Sequence, residues 1–140
     1  MAHKEFTYTR PIAYYETDAM GVVHHSNFIR MFEDARVAWL RERGVAQTHA
    51  PYSDVVYAVV DATCQYLKPL RFGDFAKVRM QAQGEGAKVR FRYAIYKNDS
   101  ELSCTGTTLH VAIDKNFRIT KPPTELVSVL KEEHWTEIWP

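Results

Sequence analysis

A chain of 140 residues with 46% hydrophobic content has material for one globular domain with an ordinary core, and excludes a two-domain layout or a mainly disordered protein. The formal net charge of +1 and the pI near 7.8 exclude a surface built chiefly to neutralise nucleic acid, so any anion site must be local. "MAHKEFTYTR" holds no apolar stretch of signal-peptide length, and no run reaches about 18 apolar residues, so no stable membrane insertion and a cytoplasmic, soluble location are expected.

Along the chain, β-rich residues alternate from about Phe6 to Tyr15, and Pro11 within that run fits an edge strand or a bulge. From about Ser26 to Arg43 the apolar residues Phe28, Met31, Phe32, Ala35 and Trp39 recur at spacings of three and four, which stacks them on one helical face. Ser26 or Asn27 can cap this helix, Gly44 can stop it, and Arg41 with Arg43 complement its negative end. Ile29, Ala38 and Leu40 widen the apolar surface, so a helix about 27 Å long is expected to be wrapped rather than merely docked. After the loop "GVAQTHAPYSD" come four β-rich runs, about Val55 to Tyr66, Phe75 to Gln83, Lys88 to Tyr96 and Leu102 to Ile113. The turn chemistry of "KPLRFGD", "GEG" and "KNDSE" between them predicts an antiparallel meander. In "KPPTELVSVLKEE" a proline precedes Thr124 as the N-cap of a short amphipathic helix, and "HWTEIWP" is an aromatic tail with no assigned place. One helix against one antiparallel sheet is an α+β layering, closed most simply as a five-stranded curved sheet around a long central helix.

Several motifs give weak chemistry. "GEGAK" lacks the third glycine of a dinucleotide fingerprint and the ending of a P-loop, and it joins two strands. Asn98-Asp99-Ser100 matches a glycosylation sequon without a secretory signal to give it meaning. Cys64 and Cys104 lie in apolar-rich segments with no CxxC spacing, the pattern of buried reduced thiols. His24, His25, His49 and His110 show no metal-ligand spacing, so no metal site is expected. Strand alternation puts Lys88, Arg90 and Arg92 on one face and Val89, Phe91 and Tyr93 on the other, with Lys77 and Arg79 behaving alike. That basic face is either a solvated exterior balanced by acids or a docking patch for the phosphates of a large anionic ligand.

The stretch "YYETDAMGVVHHSNF" carries more. Asp18 and His25 are seven residues apart, across a turn where Gly21 can take positive φ, and His25 falls at the start of the long helix. The free N–H groups and positive dipole end there would stabilise an oxyanion, and a carboxylate facing the same carbon could activate water or attack directly. On spacing alone the plainer alternative stands beside this one, with Asp18 tightening the turn and His25 as an ordinary polar residue at a helix start.

"YYETDAMGVVHHSNFIRMFEDARVAWL" and the later "CQYLKPLRFGD" resemble two signatures of hotdog-fold acyl-CoA thioesterases, of the 4-hydroxybenzoyl-CoA thioesterase and Tol-Pal-associated type. The resemblance implies a helix wrapped by a five-stranded antiparallel sheet, with two subunits joining sheet edges as a homodimer or homotetramer and active sites at their interface. It implies Asp18 as the catalytic carboxylate, the backbone N–H of His25 polarising the thioester carbonyl, and the His25 imidazole orienting water or substrate. Met20 stands where many relatives carry a second glycine, and His24 where Tyr is common, which bears on acyl specificity. Lys68 and Arg71, with Arg90 or Arg92, are the expected contacts to coenzyme A phosphates. The implied substrate is an acyl-CoA or an acyl carrier protein thioester, hydrolysed with no cofactor. The alternatives are a hotdog enoyl-CoA hydratase and a non-catalytic acyl-CoA-binding module.

Overall fold

The computed structural model describes residues 2–45 and 55–140. The elements are β1 (Phe6–Pro11), a 3-10 turn (Tyr14–Glu16), α1 (Ser26–Glu42), β2 (Val56–Tyr66), β3 (Phe75–Glu85), β4 (Lys88–Lys97), β5 (Glu101–Ile113) and α2 (Thr124–Lys131). They form one five-stranded sheet in the order β1-β3-β4-β5-β2, with every pairing antiparallel.

Two expectations about the strands need correction. The first strand stops at Pro11, at the sheet edge as its missing N–H requires, and the chain then coils because the Glu16 carboxylate binds both Ala13 N–H (2.8 Å) and Arg10 (2.6 Å). Only β3, β4 and β5 form a meander. β2 lies at the far edge against β5, so residues 67–74 cross an end of the sheet instead of closing a hairpin. Alternation sets which face a residue occupies and leaves the identity of the neighbouring strand open.

Helix α1 lays its three-and-four stripe on the sheet, and Met31, Phe32, Ala35 and Trp39 are 0% exposed. Phe32 stacks on Tyr93 with centroids 4.2 Å apart, and Trp39 meets Phe91 edge-on at 5.4 Å. Trp39 Nε1 donates to the Glu133 carboxylate, which Arg43 also holds at 2.8 Å. The opposite side of α1, with Arg30, Glu33, Asp34, Val37 and Arg41, is exposed within this chain. The helix is therefore docked along one stripe and not buried all round. Its expected cap also differs: neither Ser26 nor Asn27 caps it, and the His24 ring takes the Ser26 N–H. In α2, Thr124 is the first helical residue and Pro123 the cap, whose carbonyl accepts from Leu126 and Val127.

Beneath α1 lies a buried polar chain. Arg36 donates to Tyr93 Oη (3.1 Å), which sits 2.6 Å from Thr108 Oγ1, itself 2.9 Å from His110 Nε2. Burial, with a smaller push from Arg36, lowers His110 to about 4. The outer sheet face is basic as alternation predicts, and acids balance it: Arg79 pairs with Glu5, Lys77 with Asp99 and Arg90 with Glu85. The aromatic tail lies on this face. Arg92 sits 3.9 Å from the Trp135 ring and 4.8 Å from that of Trp139, and Arg79 is 4.9 Å from Trp139.

Gly106 opposes Cys64 in the β2–β5 pairing, directly beneath Phe32. A Cβ there would stand 2.5 Å from both Phe32 Cε2 and the Thr63 carbonyl oxygen. Gly106→Ala should cost about 3 kcal/mol in urea unfolding. Adding Phe32→Leu should not restore the loss, because the backbone carbonyl still collides. His110 gives a second expectation. Its folded-state pKa is depressed, so it must be charged to the unfolded state's extent only on unfolding: its stabilising contribution is complete above about 6.5 and disappears as pH falls towards 4, in total roughly 3 kcal/mol. His110→Gln should flatten the stability–pH curve across that window relative to the parent chain, measured by urea titration at each pH.

Candidate active site

The turn after the 3-10 segment is built around one carboxylate. Asp18 N–H donates to the Val22 carbonyl at 2.8 Å and the Asp18 carbonyl accepts from Gly21 at 2.9 Å, closing a tight loop that Gly21 completes at φ +78°. Asp18 Oδ1 accepts from Met20 N–H (2.8 Å) and Val22 N–H (3.4 Å). The turn-tightening role is therefore present in the structure. It occupies one oxygen only, because Oδ2 makes no hydrogen bond among the described residues.

The crossover 67–74 fixes that turn against the rest of the fold. Val22 bridges Arg71, and Val23 N–H donates to the Leu70 carbonyl at 2.8 Å. The two sequence signatures, far apart along the chain, are thus neighbours because β2 does not pair with β3. From Val23 the chain enters α1 through a short anchored step. Glu16 carbonyl accepts from His24 N–H at 2.9 Å and from Asn27 Nδ2 at 2.8 Å, tying the helix start back to the 3-10 turn. His24 Nδ1 lies 2.8 Å from Ser26 Oγ and 3.2 Å from Ser26 N. The His25 N–H donates to no group among the described residues. It precedes the first turn of α1, where the dipole favours negative charge.

Tyr66, the last residue of β2, holds this helix end in place. Its hydroxyl donates to the His25 carbonyl at 3.0 Å, and its ring meets Phe28 edge-on at 5.3 Å. Asp18, Met20, Val22, His25, Tyr66 and Lys68 line one open cleft of about 290 Å³. Of the residues singled out in the sequence, Asp18, His25 and Lys68 therefore share a site. Arg71 is exposed next to it on the bridge to Val22. The side chains of Lys68 and Arg71 make no ion pair among the described residues. Arg90 and Arg92 line a different cleft, on the outer face with Trp135 and Trp139, where Glu85 holds Arg90, and Gln81 with the Thr136 carbonyl hold Arg92. Tyr66 was not singled out from the sequence. Its place at the end of an alternating run just before "LKPLRFGD" was the available signal. His110 is buried in the core, His49 falls outside the described residues, and among the described residues no three His, Cys, Asp or Glu side chains cluster as metal ligands would.

Comparison with known proteins places the chain in a family. Residues 12–130 match the family described as the thioesterase-like superfamily. A protein of Aquifex aeolicus with the provisional name of esterase is 34% identical over 128 residues, 91% of this chain and 98% of its own. YneP of Bacillus subtilis, provisionally named an acyl-CoA thioesterase, is 34% identical over 105 residues, covering 74% of this chain and 76% of its own. Among solved structures, a 1,4-dihydroxy-2-naphthoyl-CoA thioesterase from Synechocystis superposes with a TM-score of 0.85 at 24% identity, over 92% of this chain and 97% of that one. The chain belongs to the thioesterase-like superfamily, and thioesterase is its enzyme class.

The turn-tightening role of Asp18 has a measurable side. Asp18→Ala removes the acceptor for Met20 and Val22 and should lower unfolding stability by about 1 kcal/mol. Asp18→Asn keeps an oxygen in that position and should unfold within about 0.5 kcal/mol of the parent in the same urea titration.

Proposed function

We propose that the chain is an acyl-CoA thioesterase that uses Asp18 as general base or nucleophile and the helix end at His25 to hold the carbonyl. The observation that carries this reading is the meeting, in one cleft, of the Asp18 carboxylate and a helix start, where Asp18 Oδ2 and the His25 N–H have no hydrogen-bond partner among the described residues. In this reading the thioester carbonyl oxygen accepts from the His25 N–H, and the α1 dipole stabilises the charge that grows on that oxygen. Asp18 Oδ2 takes a proton from water as the water oxygen bonds to the carbonyl carbon; as nucleophile it would bond to that carbon itself. On the general-base route, collapse of the intermediate breaks the carbon–sulfur bond and the coenzyme A sulfur leaves with the proton held by Asp18. On the nucleophilic route the same bond breaks to leave an acyl–Asp18 anhydride, which water hydrolyses to the free acid, its proton passing to the thiolate and the carboxylate being restored. The His25 imidazole, exposed at the rim, orients water or substrate.

Lys68 in the cleft and Arg71 beside it are the cations this reading gives to coenzyme A phosphates. Arg90 and Arg92 could serve only a ligand reaching the outer face, since their present partners are Glu85, Gln81 and the tail. A long helix embraced by the sheet belongs to the same proposal as an assembled form: β2 is an eleven-residue edge with Val59 and Val60 50% and 51% exposed, and a second copy paired there would border the cleft at Tyr66. The names of the relatives favour coenzyme A thioesters over acyl carrier protein. The Asp18, Gly21 and His25 pattern favours the branch of 4-hydroxybenzoyl-CoA and Tol-Pal-associated enzymes.

The test is a panel of aromatic, short and long acyl-CoA thioesters with detection of released thiol. Asp18→Asn should lower kcat about 10²- to 10⁴-fold in a folded protein. His25→Ala should lose less, because the backbone N–H survives the substitution. Full activity in Asp18→Asn removes the assignment. Consumption of an enoyl-CoA without thiol release would make the chain a hydratase, and tight binding without turnover across the panel would make it a binding module.

A further inference from the structure

Two cysteines next to this site take no part in the proposed chemistry. In the β2–β5 register Cys64 faces Gly106 and Tyr66 faces Cys104, which makes the two cysteines diagonal neighbours on the helix-facing side of the sheet. Their sulfurs are 3.1 Å apart, with Cys104 fully buried and Cys64 half-buried. A disulfide needs about 2.05 Å, so the two sulfurs would have to close by about 1 Å more to be joined. Their surroundings also differ in kind. The Cys104 hydrogen bond, helped by Tyr66 and opposed by burial, holds the Cys64 thiol down to about 7, while that same contact and burial push Cys104 up. One sulfur can ionise near neutral pH, and the other keeps its proton beside it.

We propose that Cys64 and Cys104 are a reversible thiol–disulfide pair, oxidised within one chain by peroxide. The Cys64 thiolate attacks one oxygen of hydrogen peroxide, the O–O bond breaks, and hydroxide leaves to become water, giving a Cys64 sulfenic acid. Cys104 sulfur then attacks Cys64 sulfur, and the expelled hydroxide takes the Cys104 proton as a second water. Two thiols have lost two electrons to one peroxide. The bond would fasten the edge strand β2 to β5 two residues from Tyr66, the residue that holds the His25 carbonyl. A dithiol reverses it by exchange.

The reduced full chain, treated with a small excess of hydrogen peroxide, should lose both free thiols, counted after denaturation, and about 2 Da of intact mass. Non-reducing peptide mapping should show Cys64 linked to Cys104, and dithiothreitol should restore both thiols. In Cys104→Ser the Cys64 sulfenic acid should be trapped by dimedone, and in Cys64→Ser the Cys104 thiol should persist. Two thiols surviving in the oxidised parent chain, a chain-to-chain disulfide, or direct gain of about 32 Da as sulfinic acid would each overturn the proposal. These are mass and thiol readouts, so the result is independent of whether the chain hydrolyses any thioester.

Discussion

The seating of Phe32 on Tyr93, above the bare backbone of Gly106, is the contact on which the remaining geometry rests. It sets the height of α1 over β4 and β5 and brings the rings to 4.2 Å with an interplanar angle of 7°. A helix at that height and register delivers His25 to the end of β2, where the Tyr66 hydroxyl can reach its carbonyl. The polar chain from Arg36 through Tyr93 and Thr108 to His110 runs under the same helix and is satisfied link by link, so the helix cannot slide without leaving buried polar groups unpaired.

The second determinant is topological. Because β2 pairs with β5 and not with β3, the segment 67–74 crosses the end of the sheet and meets the Asp18 turn through the Val22–Arg71 bridge. A simple four-strand meander would leave Lys68 and Arg71 on a hairpin with no reason to approach Asp18. Asp18 is held by the fold itself: two backbone amides fix Oδ1, which orients the carboxylate at the cleft and leaves Oδ2 without a hydrogen bond among the described residues.

Much of this was legible in the sequence, for identifiable physical reasons. The 3.6-residue repeat of Phe28, Met31, Phe32, Ala35 and Trp39 marks α1, Pro11 marks an edge, and the turns at "GEG" and "KNDSE" mark two true hairpins. Asp18, Gly21 and His25 stood out because the spacing of a carboxylate, a flexible turn and a helix start is itself a local signal. Strand order was not legible, since periodicity carries no information on which strand lies alongside. Intrinsic preference points to Ser26 or Asn27 as the cap, while the ring of His24, two residues before Ser26, takes the Ser26 N–H instead. The alternation of Arg90 and Arg92 placed them on the correct face, but their partners include Thr136 and two tryptophans that no local pattern could connect to them.

The tail that supplies those tryptophans has a spectroscopic consequence. The chain has three Trp in all. Trp39 is sealed in the core with its Nε1 on Glu133, whereas Trp135 and Trp139 rest on guanidinium groups at the outer face. Intrinsic fluorescence is therefore divided between an interior fluorophore and a peripheral pair, so peeling of the carboxy-terminal segment and melting of the interior would register as separate emission changes in an unlabelled protein.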